Sequence, residues 1–211
     1  MAGLNAVGVE EYLADLFPPP DAVLKEMGAL GLAREFPIVG PLVGGILEIL
    51  ARSSGALNVL ELGSGFGYSA YWFARGLAGP GKIVLTDRSR SNLDEARAFL
   101  ARGGFPHTFE FDEGDAIARL RRTDGQWDVI FCDIDKQAYP DVVDPAFERL
   151  RPGGLLIFDN ALRSGRVLPE AGPGDPAIEA VRTLNRRLAS HPGLRSTILP
   201  VRDGVAVAVR V

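Results

Sequence analysis

From about Leu57 onward, short apolar runs alternate with segments whose apolar residues recur at helical spacing. Strands that are buried on both faces of a sheet form nearly continuous apolar runs of this kind. Such strands, separated by helices, predict an α/β fold in which a parallel sheet is covered on both faces. The predicted strands are Val59–Leu62, Ile83–Thr86, Thr108–Phe111, Trp127–Cys132 and Leu155–Phe158. The predicted helices between them are Tyr68–Leu77, Ser89–Arg102, Asp115–Arg121 and Tyr139–Leu150.

The last part of the chain follows a different pattern. A predicted helix, Pro176–Ala189, precedes two β-rich runs, Thr197–Arg202 and Val205–Val211. The Asp203-Gly204 pair between these runs is a hairpin signal. We therefore expect a C-terminal antiparallel hairpin to complete a mostly parallel, seven-stranded sheet. The Gly- and Pro-rich stretch Arg163–Asp175 is predicted to be one long loop.

Helical patterns also precede the sheet. Residues 1–55 are expected to form helices that cover the site, and residues 56–211 are expected to form the core of the same, single domain. Proline after the first helix and an N-cap before the second mark their boundaries. The predicted helices are Val9–Phe17, Ala22–Arg34 and Pro41–Arg52, with a loop at Phe36–Gly40.

Composition narrows the functional classes. The 211 residues carry a net charge of −4, which gives no global attraction to nucleic acid, although a local basic patch remains possible. The single cysteine, Cys132, cannot form an internal disulfide. No apolar run approaches the ~20 residues of a membrane helix, and the N-terminus lacks the basic and apolar regions of a secretory signal. We expect a cytoplasmic protein without a membrane partner.

The strongest local motif is the glycine-rich segment that runs from Glu61 to Ser69, where the first strand meets the next helix. A dinucleotide fingerprint that begins at Gly63 and Gly65 would require Gly or Ala at Tyr68. The tyrosine therefore weakens an NAD-binding interpretation. A carboxylate at Glu61 would repel a pyrophosphate but suits a cationic ligand, such as the amino and sulfonium groups of S-adenosylmethionine.

Two further positions support a nucleoside site. Asp87 ends the second predicted strand, about 20 residues beyond the glycine-rich segment, where a carboxylate can accept hydrogen bonds from ribose hydroxyls. Gly114-Asp115-Ala116 follows the third predicted strand and can form a platform for the adenine ring.

Polar side chains also follow the fourth and fifth predicted strands. Asp133 comes after the fourth strand, and Asp159 and Asn160 come after the fifth. Their hard oxygen ligands suit Mg²⁺ or another divalent cation, although a lone aspartate after a strand often caps the next turn. We interpret Asp135 as a residue that supports the loop in this way. Lys136 follows Asp133 by three residues, and a neighbouring cation would favour the neutral amine that a general base requires.

Together these motifs resemble those of the cation-dependent O-methyltransferases, the catechol and caffeoyl-coenzyme A type with small bacterial relatives. The resemblance rests on Glu61-Leu62-Gly63 through Ser69, Phe131–Lys136 with Tyr139, Asp159-Asn160, and Asp203-Gly204. It implies a Rossmann-like methyltransferase fold, a homodimer, and methyl transfer from S-adenosylmethionine to a vicinal-dihydroxy, catechol-like small molecule. It implies Mg²⁺ on Asp133, Asp159 and Asn160, with Lys136 and Asp133 as catalytic residues. The cofactor contacts that it implies, together with those predicted above, are Ile38, Gly40, Glu61, Gly63, Ser64, Ser69, Asp87, Asp115, Ala116 and Asp133.

The sequence departs from this family at Arg163, where relatives often have an aromatic residue after Asp-Asn-x-Leu. A guanidinium there could meet a carboxylate or phosphate of the substrate, or it could point to solvent. Three other functions stay open at this point. They are methylation of hydroxylated uridine in transfer RNA, an NAD-dependent oxidoreductase, and a nucleoside-binding module without turnover.

Overall fold

The computed structural model describes residues 8–169 and 174–211. Its centre is a seven-stranded sheet with the strand order β3-β2-β1-β4-β5-β7-β6. The first five strands along the chain are parallel, and β7 pairs antiparallel with both β5 and β6. The predicted fold class is confirmed. The strands are β1 (Asn58–Leu62), β2 (Lys82–Asp87), β3 (Thr108–Glu113), β4 (Trp127–Cys132), β5 (Leu150–Phe158), β6 (Leu194–Leu199) and β7 (Val205–Arg210).

Helices lie before the sheet and between its strands. Asp21 caps the second helix by accepting a hydrogen bond from the Leu24 amide, as its sequence position predicts. Among the described residues, no helix is both long and apolar enough to span a membrane. The helices are α1 (Val9–Leu16), α2 (Ala22–Ala33), α3 (Gly40–Ser53), α4 (Tyr68–Gly76), α5 (Arg90–Arg102), α6 (Ala116–Arg122), α7 (Val143–Arg149) and α8 (Pro176–Ser190).

The side chains of the central strands alternate between two hydrophobic clusters. In β1, Val59 belongs to one cluster and Leu60 to the other, and in β4 Phe131 and Cys132 divide in the same way. Residues of α2, α3, α4 and α5 complete the first cluster, whereas residues of α6, α7 and α8 complete the second. The two faces of the sheet are therefore both covered, as near-continuous apolar strands require.

Two local predictions were wrong, and a third falls partly outside the described residues. The helix predicted over Tyr139–Leu150 is a 3₁₀ helix, Lys136–Val142, followed by α7, because Pro140 lacks the N–H that an α-helix needs. The β6 strand ends at Leu199 rather than Arg202, whose φ of 50° is left-handed and incompatible with a strand. The predicted loop Arg163–Asp175 begins with one 3₁₀ turn, Arg163–Gly165, and residues 170–173 lie outside the described residues.

Close packing beside the glycine-rich segment depends on Gly67, not on the position occupied by Tyr68. Gly67 precedes α4 with a φ of +87°, and a Cβ there would lie 2.8 Å from the Ala96 Cβ in α5. The small residue needed between the first loop and its neighbouring helix is therefore present one position earlier than the dinucleotide fingerprint would place it.

Replacing Gly67 with alanine should lower the free energy of unfolding by about 2–4 kcal/mol, since the substitution combines a left-handed backbone with overpacking. Urea unfolding measures this change. Gly28→Ala is the matched control, because Gly28 lies inside α2 with open space where a Cβ would stand. We expect this control to gain up to ~1 kcal/mol. Equal stability of the two variants would contradict the packing role of Gly67.

Candidate active site

The loops that follow β1, β2, β4 and β5 meet at the carboxyl edge of the sheet, where open α/β folds bind ligands. Two cavities of about 390 and 240 Å³ lie along this edge. We call them the inner cleft and the nucleoside cleft. Both are lined by Gly63, Asp87, Asp133 and Ile134, so a single elongated ligand could contact the two together.

The two clefts meet where β1 passes close to β4. The Asp133 amide donates a 2.8 Å hydrogen bond to the Leu62 carbonyl. Gly63 has a φ of +84°, and a Cβ there would stand 2.5 Å from the Asp133 carbonyl oxygen. A residue with a side chain would thus force the backbones apart, which explains why the segment needs glycine at this point.

Glu61 is a fully buried carboxyl group beneath this loop. One of its oxygens accepts a hydrogen bond from the Ser69 hydroxyl, while Oε2 has no hydrogen-bond partner among the described residues. Burial raises the pKa of Glu61 to about 8, and the charges of Asp133 and Asp87 add to this increase. An unpartnered buried carboxyl oxygen fits a ligand that brings a cationic hydrogen-bond donor.

Asp87 holds the glycine-rich loop as well as facing both clefts. Its carboxylate accepts hydrogen bonds from the Gly65 amide (2.9 Å), the Ser89 amide (2.7 Å) and the Asn92 side chain (3.1 Å). Carboxylate oxygens can accept further bonds, so a ribose hydroxyl could still be bound there. The ribose contact stays a prediction, and the loop-holding role is one that the sequence did not indicate.

The start of α6 lines the nucleoside cleft. The Asp115 carboxylate caps α6 through the Ala118 amide (2.8 Å) and pairs with Arg88 (3.0 Å), and both interactions lower the pKa of Asp115. Its side chain therefore has a structural role in addition to any contact with a ligand. Ala116 lies beside it in the lining of the same cleft.

The remaining predicted cofactor residues separate into two groups. Ile38, Ser64 and Ser69 line the inner cleft. Gly40 is absent from the described lining of both clefts. It begins α3 with a φ of +74°, packed against the Arg202 guanidinium.

The proposed cation ligands Asp133, Asp159 and Asn160 all line the inner cleft. The Asp159 side chain is only slightly exposed, and burial together with the Asp133 charge raises its pKa to about 7. Two mutually repelling carboxylates beside an amide oxygen fit a hard divalent cation. No group of three or more Asp, Glu, His or Cys residues in the described part of the chain offers an alternative metal site.

Lys136 is held beside these carboxylates by the 3₁₀ helix that follows β4. Its Nζ donates hydrogen bonds to Asp133 Oδ1 (2.5 Å) and to the Tyr139 hydroxyl (2.8 Å). The buried Tyr139 hydroxyl in turn lies 3.0 Å from the Asp159 carbonyl, to which it donates. Asp135 accepts a bond from the Gln137 amide, as expected for a loop support. Only the i, i+3 spacing of Lys136 and Tyr139 could have indicated this positioning role.

Arg202 is another residue that sequence reasoning missed. Its guanidinium donates hydrogen bonds to the carbonyls of Ile38 and Val39, and its Nε lies 3.2 Å from a Glu10 carboxyl oxygen. The loop between β6 and β7 thereby fixes the N-terminal segment that lines the inner cleft. No sequence pattern connects positions so distant along the chain.

An open sheet of this order with a glycine-rich loop after β1 and acidic residues at its carboxyl edge defines a Rossmann-like methyltransferase. A model of the family described as O-methyltransferase matches residues 24–211. A catechol O-methyltransferase of Niastella koreensis is 32% identical over 212 residues, covering 95% of this chain and 96% of the relative. Caffeoyl-CoA O-methyltransferase 2 of Petunia hybrida is 29% identical over 225 residues, covering 99% and 92%.

Among solved structures, an O-methyltransferase from Bacillus cereus in complex with SAH superposes with a TM-score of 0.87. It is 32% identical, and the match covers 97% of each chain. This chain belongs to the O-methyltransferase family. The identification confirms the resemblance seen in the sequence and sets aside the oxidoreductase and the non-catalytic nucleoside-binding module.

The buried carboxyl of Glu61 should make the stability of the ligand-free protein depend on pH. The unfolded chain releases this proton near pH 4.5, but the folded protein retains it to about pH 8. The folded state therefore binds more protons in this window, and it loses stability as the pH rises, by ~1.4 kcal/mol per pH unit at most. Glu61→Gln should remove this part of the decline and be more stable than the wild type at pH 8.

Thermal unfolding between pH 5 and pH 9 tests this expectation. Glu148→Gln, a substitution at an exposed position of α7, is the control and should follow the wild-type profile. If Glu61→Gln and the wild type declined in parallel across this range, the carboxyl of Glu61 would not be the group that retains the proton.

Proposed function

We propose that this protein transfers the methyl group of S-adenosylmethionine to one oxygen of a vicinal-dihydroxy aromatic small molecule, in a reaction that depends on a divalent cation. The observation that carries the proposal is the convergence of one amine, two carboxylates and one amide oxygen in the inner cleft. They belong to Lys136, Asp133, Asp159 and Asn160. A cleft of nucleoside size continues from the same loop.

Several features support S-adenosylmethionine as the methyl donor. The nucleoside cleft can take its adenosine, with Asp87 near the ribose and Ala116 beside the adenine. The inner cleft offers Ser64 and Ser69 to the charged amino-acid end, and Ser69 is hydrogen-bonded to the buried Glu61. The unpartnered Glu61 Oε2 is suited to a cationic donor, and the Bacillus cereus relative was solved with the demethylated product, SAH.

The residues present also fit a divalent cation. Asp133, Asp159 and Asn160 would hold it, and a bound cation would neutralise the two carboxylates that now repel one another. When bound, it would supply Lewis acidity that favours ionisation of one of the two adjacent acceptor hydroxyls.

Lys136 would remove the proton from the acceptor hydroxyl. Its Nζ is held in the inner cleft by Asp133 and Tyr139, so the base does not have to be ordered during the reaction. The acceptor oxygen then forms a bond to the methyl carbon as the carbon–sulfur bond breaks. Sulfur retains that electron pair, the neutral thioether leaves, and Lys136 carries the proton.

Transfer RNA is less well supported as the acceptor. A third cavity, of about 800 Å³, lies at the mouth of the inner cleft, and we call it the outer mouth. Its described lining includes Glu10, Glu11, Asp159 and Asp203, against one basic residue, Arg202. Since RNA binding depends on neutralising phosphates, an acidic mouth favours a small acceptor.

The homodimer and the cytoplasmic location implied by the sequence stay predictions. Tyr12, Leu16 and Phe17 are large apolar side chains that remain exposed in and just after α1. Burial of these side chains against a second copy would be consistent with a dimer.

Methyl transfer from labelled S-adenosylmethionine to catechol should require a divalent cation. We expect activity with Mg²⁺, none with EDTA, and none in Asp159→Ala, since that substitution removes a buried cation ligand. Asp124→Ala changes an exposed loop aspartate and serves as the control. Wild-type activity in EDTA would exclude the cation from the reaction, and wild-type activity of Asp159→Ala would exclude Asp159 as its ligand.

Substitution of Lys136 should impair catalysis but not donor binding. We expect Lys136→Ala to lower kcat by about 10²–10⁴-fold, the usual contribution of a general base. Lys136→Arg keeps a positive charge without providing a base at neutral pH, so it should be nearly as slow. Calorimetry with SAH should give wild-type affinity for both variants. A pH–rate profile of Lys136→Ala that matched the wild type would rule out the proton-transfer role.

A further inference from the structure

Arg163 is a charged residue in the lining of the inner cleft that the proposed chemistry so far does not use. It follows the cation-ligand pair Asp159-Asn160 closely along the chain and lines the same cleft as Lys136.

The backbone around Arg163 is held in an uncommon conformation. Arg163 and Ser164 have φ values of 48° and 53°, so two consecutive residues other than glycine are left-handed. Such strain persists only where surrounding contacts enforce it, and it is concentrated at functional sites.

The contacts that enforce this turn come from the loop between β6 and β7. The Asp203 carboxylate accepts hydrogen bonds from both the amide and the hydroxyl of Ser164. The Leu162 amide donates a 2.8 Å bond to the Asp203 carbonyl, and the Ala161 amide donates one of equal length to the Gly204 carbonyl. Ser164 is exposed by this arrangement, whereas Arg163 is partly buried against the cleft.

Among the described residues, the Arg163 guanidinium lacks a complete set of hydrogen-bond partners. Its Nε is buried and has no hydrogen-bond partner among the described residues. A buried N–H of a charged group is costly to leave unpaired, so a ligand that accepts from it would bind more tightly.

The carboxylates of the site do not account for Arg163. Lys136 pairs with Asp133 at 2.5 Å. Among residues 8–169 and 174–211, Arg163 has no ion-pair partner, and it lines the cleft that also contains the Lys136–Asp133 pair.

We infer that Arg163 is a specificity residue that binds a carboxylate of the acceptor, and that the preferred acceptors are vicinal-dihydroxy aromatic acids. This inference rests on the proposed function for the identity of the reacting oxygens. A planar carboxylate can accept two parallel hydrogen bonds from a guanidinium. The apolar side chains of Phe36, Ile38 and Ile134 line the space for the ring. The acidic outer mouth favours a monoanion over a polyphosphate chain.

The test compares 3,4-dihydroxybenzoate with 3,4-dihydroxybenzamide, which keeps the shape and both hydroxyls but has no charge. Calorimetric affinity is measured with Mg²⁺ and SAH present, and kcat/KM is measured with S-adenosylmethionine. We expect the wild type to prefer the carboxylate by at least ~10-fold in both measurements. Arg163→Met should abolish that preference while changing the values for the amide by less than ~3-fold.

Arg166→Met is the matched control. Arg166 lies three residues after Arg163, is exposed and pairs with Asp175, so this variant should keep the preference. Circular dichroism and SAH affinity establish that each variant is folded. If Arg163→Met weakened acid and amide equally, or if the wild type did not distinguish them, the inference would be overturned.

The two measurements separate this inference from the proposed function. A carboxylate preference in binding without any methyl transfer would support the Arg163 site and refute the proposed reaction. Methyl transfer to both compounds at equal kcat/KM would support the reaction and refute the role of Arg163.

Discussion

Three carboxyl groups lie near one edge of the sheet with few cations among the described residues to neutralise them. Glu61 is fully buried, and its pKa is raised to about 8. Asp159 is almost fully buried, and its pKa is raised to about 7. Asp133, which adds to both shifts, has Lys136 as its ion-pair partner. Removing carboxylates from water is costly unless an opposite charge compensates them. The stability of the folded protein is therefore linked to whatever positive charge occupies the clefts.

This linkage gives a physical reason for the arrangement around the edge. Under the proposed function, a cationic methyl donor that pairs with Glu61 would offset the desolvation cost of that carboxyl group. A divalent cation held by Asp133 and Asp159 would do the same for theirs. Hydrogen bonds with neighbouring residues hold the groups around these carboxyls in place. Tyr139 fixes Lys136 and the end of β5, while Asp87 fixes the glycine-rich loop. The chain's own hydrogen bonds therefore position these side chains of the site.

The loop between β6 and β7 couples two walls of the inner cleft. Arg202 binds the carbonyls of Ile38 and Val39, and the next residue, Asp203, holds the turn that carries Arg163. One short loop therefore determines both how the N-terminal segment covers the cleft and how the acceptor side is shaped. This connection offers a route by which the C-terminal hairpin, remote from the glycine-rich loop, can influence acceptor choice.

The sequence was sufficient to predict the sheet and the side chains at its edge, because parallel strands leave their carboxyl ends together. Asp133 and Asp159 could be assigned to one site for that reason alone. Contacts formed only in three dimensions were not predictable. Arg202 and Ile38 are separated by 164 positions, and the requirement for Gly67 depends on how closely α5 approaches. The predicted end of β6 was wrong because residues with high strand propensity continue to Val201, whereas the strand ends at Leu199.

A crystal structure of the protein with SAH and Mn²⁺ would test the central claim most directly, because anomalous scattering identifies the cation independently of its geometry. The account predicts one Mn²⁺ ion bound by Asp133, Asp159 and Asn160. It also predicts SAH across both clefts, with its amino group at Glu61 and its adenine beside Ala116. SAH bound elsewhere, or a well-occupied SAH site with the cation held by other residues, would contradict it.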